Sequence, residues 1–206
     1  RKDRNKFASN VINYLKSEKI LNLGGGGQRY LEKYLEKKQK VFEVDFQGDN
    51  DLNLDFSKLE KLPFGNNQFD CVCGFDLLEH LENFHTLTDE MIRITKKDIL
   101  ISLPNSASEI PHIILGRQPN TKENQRGVYS KYYGLPIEYQ VDRHRWWIYL
   151  EDIIRFFKNF SEVNDCKLNF FVQKPSFKKL ILKKFISKSL YYNFFCDYIW
   201  IHLEKK

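Results

Sequence analysis

The sequence predicts an α/β domain over residues 1–206, with a parallel sheet covered by helices on both faces. Three observations carry that prediction. The stretch KILNLGGGGQRY, Lys19–Tyr30, reads as strand, glycine turn and helix. Short apolar runs then alternate with helix-period stretches as far as Leu103. Asp45 and Asp55 close two of those runs, and strand ends in such a sheet share the edge where ligands bind.

The elements follow in order. Phe7, Val11, Ile12, Tyr14 and Leu15 form a helical stripe, which places a helix at about 4–17. Ile20, Leu21 and Leu23 make the first strand. Beyond the glycines, Leu31, Tyr34 and Leu35 recur at helical spacing, so Gln28–Lys38 is expected to be a helix. Lys40–Asp45 is a second strand, and Leu52–Phe56 a short third. Phe69–Gly74 is a fourth. Leu77, Leu78, Leu81 and Phe84 open a helix that breaks near Asn83 and resumes to Lys96. Asp98–Leu103 is a fifth strand, stopped by Pro104. A loop-rich insert occupies about 104–149, with four prolines, five tyrosines at 129, 132, 133, 139 and 149, and Trp146 and Trp147. Leu150–Phe160 is amphipathic. Lys167–Gln173 and Tyr198–Leu203 read as closing strands, and Phe177–Leu190 between them is apolar and lysine-rich.

Charge and cysteine content narrow the function classes. The net charge is +6, and residues 174–206 hold all of it, eight lysines facing Asp197 and Glu204. The rest of the chain is neutral, so no nucleic-acid partner is expected on charge, while the basic tail suits weak contact with an anionic membrane surface. No apolar run reaches the ~20 residues that span a bilayer. No signal-peptide pattern opens the sequence, which starts at Arg1 and leaves room for residues upstream. The cysteines, at 71, 73, 166 and 196, offer no CxxC pair. Reduced thiols, a cytoplasmic location and no metal are expected. Nothing in the sequence bears on oligomeric state.

Four glycines in succession, Gly24–Gly27, exceed what a turn requires. They let backbone approach a ligand and aim helix-start N–H groups at it. Asp45 lies 19 residues beyond Gly26, placed to accept two hydrogen bonds from ribose hydroxyls. That arrangement fits any nucleoside. A nicotinamide dinucleotide fits less well. The GxGxxG pattern fails at Arg29, no pyrophosphate anchor is evident, and Asp55 follows where an adenine amine could be held.

Taken together, ILNLGGGGQRYL, VFEVD, LNLDFSKLEKLPF, NNQFDCVCGFDLLEHL and ILISLPN resemble the class I S-adenosylmethionine-dependent methyltransferases in order and spacing. The resemblance covers about 18–105, and LPFGNNQFD followed by LLEHL is its most specific part. It implies a Rossmann-like, seven-stranded, mostly parallel sheet with an antiparallel last strand. By position it assigns Gly24 and Gly26, with Gly25 between them, to the methionine and ribose portion of S-adenosylmethionine. Asp45 would take the ribose hydroxyls. Leu54, Asp55 and Phe56 would hold the adenine, and Phe75 and Asp76 would lie beneath the methyl. Two positions depart from the family: Asn22 stands where it has an acid, and Gln28 where it has a glycine. Asn22 keeps hydrogen bonding and loses the charge that favours the cofactor's ammonium.

The segment YYGLPIEYQVDRHRWW is similar to small bacterial methyltransferases of surface-glycan and secondary-metabolite clusters. The expected activity is therefore methyl transfer to a small-molecule or sugar-type acceptor. The alternatives are a non-catalytic cofactor-binding partner or regulator, and a nicotinamide-dependent oxidoreductase. Methylation of nucleobase amines ranks below these, because no Asn-Pro-Pro-aromatic or Asp-Pro-Pro-aromatic tetrapeptide occurs. Within the insert, Arg143, Arg145 and Trp146 are expected to bind the acceptor. His144, flanked by two cations that would keep it neutral, is the candidate base. Glu79 and His80 read as a helix-start pattern, and His112 has no assignable place.

Overall fold

The computed structural model describes residues 2–115, 144–172 and 186–206. Seven strands form one sheet in the order β3-β2-β1-β4-β5-β7-β6. They are β1 (Lys19–Leu23), β2 (Lys40–Asp45), β3 (Leu52–Asn53), β4 (Phe69–Phe75), β5 (Thr95–Pro104), β6 (Cys166–Val172) and β7 (Tyr198–Lys205). The first five are mutually parallel, and β7 runs antiparallel to both β5 and β6. This is the expected Rossmann-like architecture with an antiparallel last strand.

Burial alternates along the central strands and divides the core in two. On one face Leu21, Leu23, Val72, Ile99 and Ile101 pack against α2 (Phe84–Ile94) and α4 (Leu150–Val163). On the other, Ile20, Cys71, Cys73, Leu100 and Trp200 take Ala8 and Ile12 of α1 (Lys2–Leu15). Cys71 and Cys73 share that face as their spacing requires, and all four cysteines are free and buried. Two short helices complete the described chain, α3 (Ile110–Ile114) and α5 (Lys188–Phe195).

Several boundaries differ from the expectation. Gln28–Lys38 is not an α-helix and holds one 3₁₀ turn, Glu32–Tyr34. Gly27 and Arg29 take φ of 63° and 46°, which breaks helical geometry at its start. Of the three apolar residues that suggested the helix, Leu31 alone is fully buried, and Tyr34 is 37% exposed. β3 is two residues long because Asp55 leaves it to cap a 3₁₀ turn, Phe56–Lys58. Leu78–His80 is a separate 3₁₀ turn, and α2 starts only at Phe84. Asn83, between them, donates to the Phe56 and Leu59 carbonyls, both at 2.9 Å. The run LPFGNNQFD is held by α2: Arg93 donates to the carbonyls of Phe64 and Leu62, and Glu90 accepts the Leu62 N–H at 2.7 Å. Of the insert, 116–143 lies outside the described residues, as does 173–185 of the basic stretch. No described helix is long and apolar enough to cross a membrane.

A buried polar chain braces the antiparallel side. His202 Nε2 lies 2.8 Å from Asp98 Oδ1, and its Nδ1 lies 3.3 Å from Asn169. Asp98 is 0% exposed. Asp98→Ala strips His202 of that partner inside the sheet and should cost about 3 kcal/mol of stability in urea unfolding.

Candidate cofactor and acceptor site

The site begins where β1 ends between its parallel neighbours. Gly24 donates its N–H to the Val44 carbonyl at 2.8 Å, and Gly26 donates to Asp45 Oδ2 at 2.6 Å. The glycine loop is thereby bound to the end of β2. Asp45 Oδ1 also accepts the Phe46 N–H at 2.6 Å. Two lone-pair positions remain on the carboxylate for outside donors. The Leu54 N–H reaches the Asp45 carbonyl at 2.9 Å, which brings the Asp55 turn alongside.

At Gly25 the close approach is explicit. A Cβ there would stand 1.7 Å from Glu43 Oε2, so the Glu43 carboxyl occupies the space a side chain would need. Asn22 and Glu43 are register partners on β1 and β2, both 1% exposed. Asn22 Nδ2 donates to Glu43 Oε2 at 2.9 Å. Burial pushes the Glu43 carboxyl up to about 7, against the opposing pull of that hydrogen bond. Arg29 clasps the loop's outer side, 2.9 Å from Asp51 Oδ1, and Asp51 Oδ2 accepts the Glu43 N–H at 2.7 Å.

The remaining sequence-assigned residues divide. Asp55 caps its turn by accepting from the Ser57 N–H and hydroxyl, and Lys58 lies 3.1 Å away. Those hydrogen bonds, led by Ser57, hold its carboxyl below the usual range. Leu54 is half-buried beside it. Phe56 is 4% exposed and belongs to the core, so its ring is not presented to a ligand. Phe75 likewise packs on Trp200, centroids 5.4 Å apart. Asp76, at φ 48°, pairs with Arg4 and accepts from the Ser102 hydroxyl at 3.0 Å.

Just beyond β4, the structure gathers side chains that the sequence kept apart. Glu79, His80 and His144 each offer a ligand or proton-transfer atom, all within 4.8 Å of one another. Glu79 Oε1 lies 3.8 Å from His80 Nε2 and 4.0 Å from His144 Nε2. The two imidazoles meet edge to face at 4.7 Å. Backbone fixes the arrangement, since Arg145 donates its N–H to the Glu79 carbonyl at 2.7 Å. His144 is therefore backed by a buried carboxylate. The expected flanking by two cations is not what the described residues show: the Arg145 guanidinium turns outward to Glu82, 3.9 Å away, and Arg143 lies outside them, as do Asp142 and the His112 side chain.

Trp146 donates its indole N–H to the Leu81 carbonyl at 2.7 Å and lines an open cleft of about 500 Å³ with Phe84, His85 and Phe156. Trp147, its neighbour, also borders that cleft and is 36% exposed.

The raised Glu43 carboxyl fixes the sign of a pH effect. Its proton binds the folded state more tightly, so the stability it contributes is complete below about pH 4.5 and is lost as pH rises through about 7. Without ligand, Glu43→Gln should remove a loss on the order of 3 kcal/mol between those limits. Unfolding midpoints of both proteins across that range measure it.

Residues 21–102 match the family model of a methyltransferase domain. Among curated proteins no sequence matches. Solved structures match across the whole length at low identity. The methyltransferase domain of bacterial CtHen1 is 12% identical, with a TM-score of 0.62 over 98% of this chain and 97% of that one. The plantazolicin methyltransferase BpumL, in complex with a desmethyl analogue and S-adenosylhomocysteine, gives 13% and 0.61 over 100% and 83%. Magnesium protoporphyrin IX methyltransferase from Synechocystis PCC 6803, also with S-adenosylhomocysteine, gives 11% and 0.57 over 100% and 83%. The chain thus has the fold of the class I S-adenosylmethionine-dependent methyltransferases, and its residues 21–102 match a methyltransferase domain.

Proposed function

We propose that the protein transfers the methyl group of S-adenosylmethionine to a hydroxyl of a small-molecule or sugar-type acceptor. The observation that carries the acceptor half of this reading is the grouping of Glu79, His80 and His144 just past the end of β4. The cofactor half is supported by the glycine loop bound to β2, the free lone pairs of Asp45, and the buried acceptors of Asn22 and Glu43 beneath Gly25.

Bound S-adenosylmethionine supplies an electrophilic methyl on sulfur, so the protein's part is alignment and exclusion of water. Asp45 holds the ribose hydroxyls, and Leu54 and Asp55 border the adenine. His144 takes the proton as the acceptor oxygen attacks the methyl carbon and the carbon–sulfur bond breaks. Glu79 orients the imidazole and balances the imidazolium that forms. Trp146 forms one wall of the acceptor site, and the aromatic cleft beside it accommodates the acceptor's body. Arg145 precedes Trp146 in the chain, and with Arg143 two residues before it offers a pair of cations suited to an anionic acceptor.

Isothermal titration tests the cofactor. S-adenosylhomocysteine should bind and NAD should not. Asp45→Ala should weaken binding about 100-fold, since hydrogen bonds to a carboxylate contribute about 1.5–3 kcal/mol each. Heat from NAD alone would favour the oxidoreductase.

A second reading of the acceptor half comes from the same three side chains. One carboxylate and two imidazoles are a ligand set for a divalent cation, which would acidify a coordinated hydroxyl in place of a base. The two readings part under a chelator. With His144 as base, EDTA leaves turnover intact and His144→Asn removes it while S-adenosylhomocysteine binding is unchanged. With a cation, EDTA abolishes turnover and one added metal restores it.

A further inference from the structure

We propose that Glu43 is the acid of the cofactor's amino-acid subsite: reaching across from β2, it takes the part of the first-strand acid that Asn22 lacks, and it draws the methionine ammonium onto the glycine loop. The inference rests on the cofactor reading above.

Three observations support it independently of that reading's sequence basis. Glu43 is register partner to Asn22, so its carboxyl arrives beside position 22 on the same face of the sheet. The Gly25 backbone lies directly over that carboxyl, closer than any side chain at 25 would allow. Glu43 Oε1 and Asn22 Oδ1 are sealed from solvent and accept no hydrogen bond within the described residues. An ionised carboxyl so placed is costly without a counter-charge, and a cation brought to the loop supplies one.

The charges around Glu43 leave that place to a ligand. Arg29 is engaged by Asp51, with Asp49 and Glu32 within 3.5 Å of it. Asp51 accepts the Glu43 N–H and adds negative charge. Cys73, next in the row on β4, is pushed up by burial and stays a neutral thiol. Asn22 is neutral. Burial thus keeps a proton on Glu43 near neutrality in the empty protein. A bound cation favours the charged form, so loading the cofactor expels that proton.

The test compares two ligands that share the nucleoside, S-adenosylhomocysteine and 5′-methylthioadenosine, the second lacking the amino-acid end. Glu43→Gln should weaken the first at least 10-fold and leave the second unchanged. The double variant Asn22→Asp, Glu43→Gln returns the acid to β1 and should restore S-adenosylhomocysteine binding. Between pH 7 and 5.5, wild-type affinity for S-adenosylhomocysteine should fall by up to about tenfold per pH unit, and that of Glu43→Gln should stay flat. Equal losses of both ligands in Glu43→Gln would show that Glu43 only props the loop and would overturn the proposal. So would a pH dependence common to both proteins. If wild type binds neither ligand, the cofactor reading itself fails and takes this inference with it.

Discussion

The parallel pairing of β1 with β2 is the constraint on which the site depends. Its register sets Asn22 against Glu43 and Leu23 against Val44, which leaves Gly24 level with the end of β2. The loop then has one place to go. Gly24 reaches the Val44 carbonyl, Gly26 reaches the Asp45 carboxylate, and the chain between them passes over Glu43. A one-residue slip would turn Glu43 into the α2 face and send Phe42 or Val44 beneath the glycines. The geometry of the glycine loop is thus a consequence of strand register.

The loop is also electrostatically uneven. Its outer side is anionic apart from Arg29, with Glu32, Asp49 and Asp51 around the guanidinium. Its inner side holds a buried carboxyl that burial makes reluctant to ionise. A site of that kind discriminates by charge. A pyrophosphate would meet the outer carboxylates and a buried acid that gains nothing by ionising, whereas a sulfonium or ammonium would draw that acid into its charged form. The acids around the loop therefore disfavour a dinucleotide more strongly than the broken glycine pattern at Arg29 does.

The fold was legible because period and length agree in most elements. FDCVCG and DILISL are continuous apolar runs, as strands buried on both faces must be. Leu31, Tyr34 and Leu35 misled because three apolar residues in eleven also fit a segment that docks one leucine and exposes the rest. Asp45 was legible as the end of β2, whereas Asp55 stands past the end of β3 and caps a turn. Glu43 was visible and went unread: a charged residue between Phe42 and Val44 in a buried parallel strand needs a reason, and the reason lay on the neighbouring strand at Asn22. Phe56 and Phe75 were assigned to the cofactor by position along the chain, which does not tell whether a ring faces ligand or core.

The histidine cluster was beyond sequence reasoning for a different cause. Glu79 and His144 are 65 residues apart, and what joins them is a backbone hydrogen bond from Arg145 to the Glu79 carbonyl. That bond docks the end of the insert onto the turn after β4, so the cluster is assembled from two separate passes of the chain over one sheet edge. His144 and Trp146 lie two residues apart in that segment. One joins the cluster, the other donates to Leu81 and walls the cleft. His144 and Trp146 are thus held by consecutive contacts with 78–81, and a shift of that turn would displace both together. In the proposed methyl transfer, where alignment supplies most of the rate, such coupling would keep the acceptor and His144 in register with the strand end that holds the glycine loop.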